Sequence, residues 1–149
     1  MTTTTAVPVR RAHSVPTHPA VRQHRGQVAR WALANGHLLE RDALAAIVAV
    51  RADPSSGAID LRWTAQDIGA VMWSAVPLWC SSHQVPAPSD LATTLGTYLR
   101  YLSAHRHLAR GSAPIAELRR AVADHRPSLQ RSRARHPASA RTAPVLPIC

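Results

Sequence analysis

The chain of 149 residues contains no lysine, no phenylalanine and only two cysteines. Cys80 and Cys149 cannot build a disulfide framework and lack zinc-finger spacing. Small domains stabilised by several disulfides and zinc fingers are therefore both excluded. The scarcity of cysteine fits a reducing cytoplasm. All 18 basic residues are arginine, as in proteins of GC-rich genomes that are also rich in alanine and proline. Arginine also binds phosphate through two parallel N–H groups, and the two interpretations are compatible.

Acidic residues are also scarce, and their distribution divides the chain into three parts. Residues 1–30 contain five arginines and no acid, and residues 121–149 contain five arginines and one acid. Between them, eight arginines and seven acids leave the middle of the chain nearly neutral. The net charge of +10 therefore belongs mainly to two basic ends.

The two ends also differ from the middle in pattern. Residues 1–24 carry a threonine run, several prolines and no hydrophobic periodicity, so we expect a disordered basic tail. No apolar run of a secretory signal follows the first two arginines, although an acid-poor start is also found in organelle transit peptides. Residues 127–149, where arginines alternate with small residues, predict a second disordered basic tail. Residues 25–126 remain as a helical domain.

Motifs that carry catalysis are missing from the chain. There is no glycine-rich nucleotide motif, and no pair of carboxylates stands out. Cys80 and His83 have the spacing of a nucleophile pair, but no orienting residue accompanies them. Together with His105 and His107 they could also ligate zinc. We favour a small apolar cysteine in the core and imidazoles that bind carbonyls at helix ends, and expect no catalytic residue, metal or cofactor.

The stretch Trp63–His83 contains three of the four tryptophans, so we expect the core to form around it. Thr64 and Asp67 have the spacing of a capping box, which predicts that a helix begins there. Polar and small residues follow one narrow stripe, and the rest of the helix circumference is apolar. This pattern predicts burial by several neighbouring helices. The apolar run is too short and too often interrupted to cross a membrane.

Particular positions of this central helix can be assigned to its two sides. Ile68, Met72 and Trp79 are predicted to be mostly buried, and Ser74 and Pro77 are predicted to be the more exposed. Proline removes a backbone N–H and crowds the preceding turn, so Pro77 either kinks one helix or separates two. We favour a single kinked helix.

Helical spacing of apolar residues predicts four further helices around the central one. The first ends at Asn35-Gly36, the second covers about residues 38–52, the third is capped by Ser89 and the fourth ends before Pro127. The fold class is therefore mostly α, a compact bundle of about five helices with disordered basic tails.

Three smaller features lie within this pattern. Residues 58–63 alternate between apolar and polar side chains, which is consistent with a short extended segment. Gly69 and Gly96 lie inside predicted helices, where we expect each to permit the close approach of a neighbouring helix.

The absence of a catalytic constellation, with a neutral middle and charged ends, favours a non-enzymatic binding or interaction module of the bacterial cytoplasm. Its protein partner cannot be named from the sequence, and no membrane contact is expected. The alternative is nonspecific contact with the phosphate backbone of nucleic acid. The candidate residues for that contact are Arg10, Arg11, Arg22, Arg25, Arg131, Arg133 and Arg135. The ends lack interleaved aromatic residues, so base stacking is not predicted there.

Several short motifs resemble those of small uncharacterised proteins of high-GC actinobacteria. These motifs are Trp63-Thr64, Trp79-Cys80, Tyr98-Leu-Arg-Tyr-Leu and Gly111-Ser-Ala-Pro-Ile-Ala-Glu-Leu-Arg. The resemblance covers roughly residues 25–123 and implies a bacterial helical protein, which weighs against a transit peptide. It carries no known activity and no catalytic or binding residue.

Overall fold

The computed structural model describes the backbone of residues 8–134 and the side chains of residues 8–126. As predicted, this part of the chain forms five helices and contains no strand. The helices are α1 (Pro19–Ala34), α2 (Arg41–Arg51), α3 (residues 65–82), α4 (Leu91–Ala104) and α5 (Ile115–Ala134), and a 3-10 turn at Ala12–Ser14 precedes α1. No helix of the described chain is long and apolar enough to span a membrane.

The capping box predicted at the start of α3 is confirmed. The Thr64 hydroxyl accepts a hydrogen bond from the Asp67 N–H at 3.3 Å, and the Thr64 N–H donates to the Asp67 carboxylate at 2.8 Å. The predicted end of α1 is also confirmed, because Asn35 follows its last residue and Gly36 adopts a left-handed φ of 67°. Both features depend on residues a few positions apart.

The helix that begins after the predicted cap Ser89 is capped one residue later. The Asp90 carboxylate accepts from the Thr93 N–H at 3.1 Å. Glu40, which precedes α2, accepts from the N–H groups of Ser89 and Asp90 at 3.1 and 2.7 Å. A carboxylate from another part of the chain thus binds the start of α4, where the helix dipole favours negative charge.

The central helix α3 is continuous, and a π turn accommodates its proline. It consists of Ala65–Ala70 in α conformation, Val71–Ala75 in π conformation and Val76–Ser82 in α conformation. The Val76 N–H donates to the Val71 carbonyl, five residues back. This wider turn lies directly before Pro77, where a regular α-helix would place the ring against the carbonyl of residue 73. One helix with a local distortion is therefore found, and not two helices.

Only one side of α3 is buried. Ile68 and Met72 are buried and Ser74 and Pro77 are exposed, as predicted, but Trp79 is only half-buried. The prediction that most of the circumference is covered is wrong. The helix packs on α2 and α5, and the side away from them stays open. Two large apolar residues of the helix are exposed, Leu78 at 71% and, beside α5, Trp73 at 42%.

The core forms around Trp63, which lies two residues before the start of α3. Trp63 is fully buried, with the edge of its indole toward Tyr98 at a centroid distance of 6.2 Å. The Arg51 guanidinium lies 4.5 Å from the indole centroid and pairs with Asp60 at 3.1 Å and Asp67 at 3.5 Å. A cation on an aromatic face and a buried aromatic pair both stabilise the fold.

The two glycines inside helices have different surroundings. A Cβ added at Gly69 would lie 3.2 Å from the His125 ring of α5, so the predicted close approach is present. A Cβ added at Gly96 would meet no atom within 4 Å, so the same prediction is wrong there. The alternating segment 58–63 forms one antiparallel bridge, between Ala52 and Ile59.

The domain begins earlier than predicted. Residues 12–24, assigned to a disordered tail over residues 1–24, form the 3-10 turn and the first part of α1, and Ala12 and Val21 are buried. His13 anchors this segment, since its N–H and its Nδ1 lie 3.0 and 2.7 Å from the Asp42 carboxylate. The partner stands 29 residues away, so the composition of the segment does not reveal the contact.

The last helix extends further than predicted. Pro127 was expected to end it, but α5 continues to Ala134 in the described backbone. The prediction that this helix ends before Pro127 is therefore wrong, and no side chain beyond residue 126 is described. The predictions of disorder for residues 1–7 and 135–149 lie outside the described residues.

Candidate functional site

The arginines predicted to contact nucleic acid near the start of the chain do not share one role. Arg10, Arg11 and Arg22 are exposed, and Arg25 is half-buried. Arg11 lies 3.7 Å from the Asp42 carboxylate, and the Arg25 guanidinium donates to the His13 carbonyl at 3.2 Å. Arg11 and Arg25 therefore help to hold the 3-10 turn Ala12–Ser14 against the rest of the domain. Arg10 and Arg22 have no such contact among the described residues.

Arg25 belongs to a small arginine cluster, formed by Arg22, Arg25 and Arg41. Burial lowers the pKa of Arg25, and the nearby charges of Arg41 and Arg22 lower it further. Of the remaining predicted residues, Arg131 and Arg133 lie in the backbone of α5 and Arg135 lies outside the described residues. Of the predicted residues, Arg22 and Arg25 are thus shown to lie close together, with Arg41 beside them.

A second basic site lies between α1 and the end of α4, and we call it the His–aromatic cleft. It is a shallow depression of about 360 Å³. Its lining residues are Gln27, Arg30, Trp31, Tyr101, His105 and His107. Three come from α1 and three from the last turn of α4 and the residues after it.

The imidazole of His105 is positioned by the end of its own helix. His105 follows the last residue of α4, and its Nδ1 lies 2.9 Å from the Tyr101 carbonyl oxygen. The predicted contact of imidazoles with the last carbonyls of a helix is confirmed here and at His83, whose Nδ1 lies 2.9 Å from the Trp79 carbonyl oxygen. Because the carbonyl binds the Nδ1 proton, Nε2 of the exposed His105 ring accepts a hydrogen bond when neutral and donates one when charged.

The aromatic rings of the cleft contact one another in series. Trp31 meets Tyr101 edge to face at a centroid distance of 5.7 Å, and Tyr101 lies 4.3 Å from His105. His105 in turn lies 5.6 Å from His107. On the other side, His37 stacks on Trp31 at 5.0 Å. Such contacts fix the rings in place and so preorganise a surface of ring faces and edges.

Behind the cleft, a half-buried histidine and a buried tyrosine form a polar pair. His24 Nε2 lies 2.9 Å from the Tyr98 hydroxyl. Burial lowers the pKa of His24, and the neighbouring His107 lowers it further, so the neutral ring is favoured. Burial raises the pKa of Tyr98, which keeps its hydroxyl protonated. Burial also raises the pKa of Tyr101, although the charge of Arg30 acts in the opposite direction.

The positive charge of the cleft has no acid beside it in the lining. The Arg30 guanidinium belongs to the lining, and none of the six lining residues is acidic. Several acids of the described chain occupy helix starts instead, as Asp67 and Asp90 do. The arrangement favours an anion that contacts the Arg30 guanidinium and the two exposed imidazoles.

Only part of this cleft was identified from the sequence. His105 and His107 were considered as zinc ligands and as imidazoles at a helix end, and neither was connected with Trp31. Trp31 and Tyr101 are far apart in the chain, and only the packing of α1 on α4 brings them together. The absence of acidic residues near both segments of the sequence could have indicated this basic cleft.

Cys80 and His83 have different surroundings in the structure. Cys80 is buried in the core, and burial raises the pKa of its thiol, as does the charge of Asp42. A raised pKa makes the thiol a weaker nucleophile at neutral pH. The His83 ring stacks on Trp79 at 4.4 Å and binds a carbonyl. Among residues 8–126, no group of three histidine, cysteine or acidic side chains could hold a metal ion.

No family model, curated protein or solved structure matches the chain. The class of protein is therefore defined by its own fold and site: a small helical domain with a basic cleft lined by aromatic and imidazole rings.

Proposed function

We propose that the protein is a non-enzymatic binding module of the bacterial cytoplasm and that the His–aromatic cleft is its binding site. The observation that carries this proposal is the convergence of Arg30, His105 and His107 on a depression walled by Trp31 and Tyr101. The bacterial and cytoplasmic setting rests on the resemblance to actinobacterial proteins and on the scarcity of cysteine.

The chemistry of the cleft selects a partner that presents an anionic group next to a flat or apolar surface. The guanidinium of Arg30 and the exposed imidazoles provide N–H donors for a carboxylate or phosphate oxygen. The half-buried ring of Trp31 provides apolar contact area at a small cost in conformational entropy, and the buried Tyr101 ring supports it edge to face. A shallow site of this kind suits a side chain or a nucleotide of a larger partner better than a small enclosed ligand.

The cleft can be tested with two anionic probes, a glutamate-rich peptide and a single-stranded thymidine oligonucleotide. Each is titrated into the full chain, and NMR signals of the His105 and His107 rings report binding in the cleft. Replacing Arg30 with glutamine is expected to weaken the probe that binds by roughly fivefold, because one charged hydrogen-bond donor is lost.

Arg100→Gln is the matched control, since Arg100 is exposed on α4, does not line the cleft, and its loss changes net charge equally. This control should leave affinity within about twofold of the original. Equal losses in both variants would mean that net charge alone drives binding. Histidine signals that do not move with either probe would also contradict the proposal.

The alternative function is nonspecific contact with nucleic-acid phosphates through the arginine-rich ends. The observation that favours it is the proximity of the Arg22, Arg25 and Arg41 guanidinium groups, with exposed Arg10 nearby in the chain. This mode predicts an affinity that falls steeply with salt, by about one unit of logarithmic slope per phosphate contact.

Substitutions separate this alternative from the cleft. Replacing Arg10 and Arg22 with glutamine, or Arg131, Arg133 and Arg135 with glutamine, should lower the salt slope by roughly one unit per phosphate contact removed. Substitution is preferable to deletion at the end of the chain, because α5 extends to Ala134. An unchanged slope in both variants would rule out the alternative.

A further inference from the structure

A second cavity, which we call the Trp79 cavity, lies between the start of α1, the end of α2 and the end of α3. It has a volume of about 490 Å³, within the range of small-molecule sites. Its apolar walls include Val15, Val21, Ala49 and Trp79, contributed by four separate segments. Trp79 is half-buried, and His83, which also lines the cavity, stacks on its ring at 4.4 Å, so the rest of the ring remains available to a ligand.

The polar edge of the Trp79 cavity is built by a tight turn after α2. The Asp53 carboxylate accepts from the N–H groups of Ser55 and Ser56 at 2.8 and 2.9 Å, and from the Ser55 hydroxyl at 2.6 Å. The Gly57 N–H also donates to the Asp53 carbonyl at 2.9 Å. These bonds fix Asp53 at the edge of the cavity before any ligand arrives.

His18 forms another part of the edge and is held against the same turn. A Cβ added at Gly57 would lie 2.2 Å from the His18 Nδ1, and Gly57 has a left-handed φ of 70°. Only glycine fits this position without displacing the ring. His18 Nδ1 also accepts from the Ala20 N–H at 3.2 Å at the start of α1. The edge is therefore preformed.

The lining of the Trp79 cavity contains one acid, Asp53, and two imidazoles, His18 and His83. Hydrogen bonds from the Ser55 hydroxyl and from the N–H groups of Ser56 and Ser55 lower the pKa of Asp53 to about 2, so its carboxylate is ionised at physiological pH. No arginine lines the cavity, whereas the whole chain carries a net charge of +10. A carboxylate next to a tryptophan ring is the combination that attracts an organic cation.

We propose that the Trp79 cavity binds small organic cations, with the apolar body against Trp79, Val21 and Ala49 and a protonated amine beside the Asp53 carboxylate. This inference is independent of the proposed function, because the His–aromatic cleft has different lining residues and favours anions.

Three probes of matched shape test the proposal: phenylbutylamine, phenylbutanol and phenylbutyrate, each titrated into the full chain by calorimetry at pH 7. The amine is expected to bind roughly fivefold more tightly than the alcohol, which matches an exposed charge pair, and the carboxylate should bind most weakly. Equal affinities for the three probes, or no binding of the amine, would overturn the proposal.

Variants then locate the site. Asp53→Asn keeps an oxygen acceptor for the turn but removes the charge, so the amine should bind no better than the alcohol. The matched control Asp124→Asn removes an exposed acid of α5 and should preserve the preference. Ala49→Leu fills the cavity and should weaken both the amine and the alcohol. A preference for the amine that persists in Asp53→Asn contradicts the proposal, and the probe series on the unsubstituted chain decides it even if a variant fails to fold.

Discussion

Replacing Trp63 with alanine is expected to lower the free energy of unfolding by about 4 kcal/mol, the usual cost of truncating a large buried aromatic side chain. Trp63 is fully buried, contacts the Tyr98 ring and lies under the Arg51 guanidinium. The alanine variant would leave both partners without the indole and would open a cavity in the core. Chemical denaturation followed by circular dichroism measures the change.

Trp63→Phe is the control that separates volume from hydrogen bonding. The Trp63 Nε1 is buried and has no hydrogen-bond partner among the described residues, so its removal breaks no hydrogen bond. Phenylalanine keeps a ring for Arg51 and Tyr98 and should cost only about 1 kcal/mol. If phenylalanine proves as destabilising as alanine, the indole N–H has a stabilising contact and the expected order is wrong.

The features of the fold that were predicted correctly depend on residues close together in the chain. The capping box of Thr64 and Asp67 and the stop at Asn35-Gly36 each use side chains within one helical turn. Helical periodicity likewise identifies Ile68 and Met72 as buried, since the pattern records which side faces the core.

The features that were missed depend on partners that the chain brings from a distance. Whether Leu78 is covered cannot be read from α3 alone, because an apolar side needs a neighbouring helix to bury it, and α2 and α5 both pack on the other side. The exposure of Trp73 differs less from the predicted burial, because its Nε1 donates to His125 Nδ1 of α5 at 2.8 Å. Periodicity therefore overestimates burial at the edge of a small domain.

The sequence did not predict the His–aromatic cleft, because its residues also come from distant parts of the chain. Arg30 and Trp31 belong to α1, and Tyr101 and His105 belong to α4, so the cleft exists only when the two helices pack. The sequence did contain its composition, a group of imidazoles and aromatic residues with no acid close in the chain. The sequence does not show the distances between the rings, and these distances distinguish a binding surface from a zinc site.

Replacing Asp42 with alanine is expected to release the first turn of the domain and to lower the free energy of unfolding by about 2 kcal/mol, the usual scale for hydrogen bonds to a charged group. The Asp42 carboxylate accepts from the His13 N–H, contacts the His13 ring and lies near Arg11. Amide hydrogen exchange should show faster exchange at residues 12–15, and denaturation measures the loss of stability.

The same contact makes a specific prediction for pH. Partial burial alone would raise the pKa of Asp42, but the hydrogen bonds from His13 and the charges of His13 and Arg11 lower it below 3.8. A carboxylate with a lowered pKa stabilises the fold above its unfolded-state pKa, and this contribution is lost as the pH falls through the folded-state pKa. The difference in stability between the original chain and Asp42→Ala should therefore be constant from pH 6 down to about pH 5 and shrink below about pH 4. Asp124→Ala, which removes an exposed acid, should show no such convergence, and a difference that persists unchanged at pH 2 would mean that Asp42 stabilises the turn by packing and not by its charge.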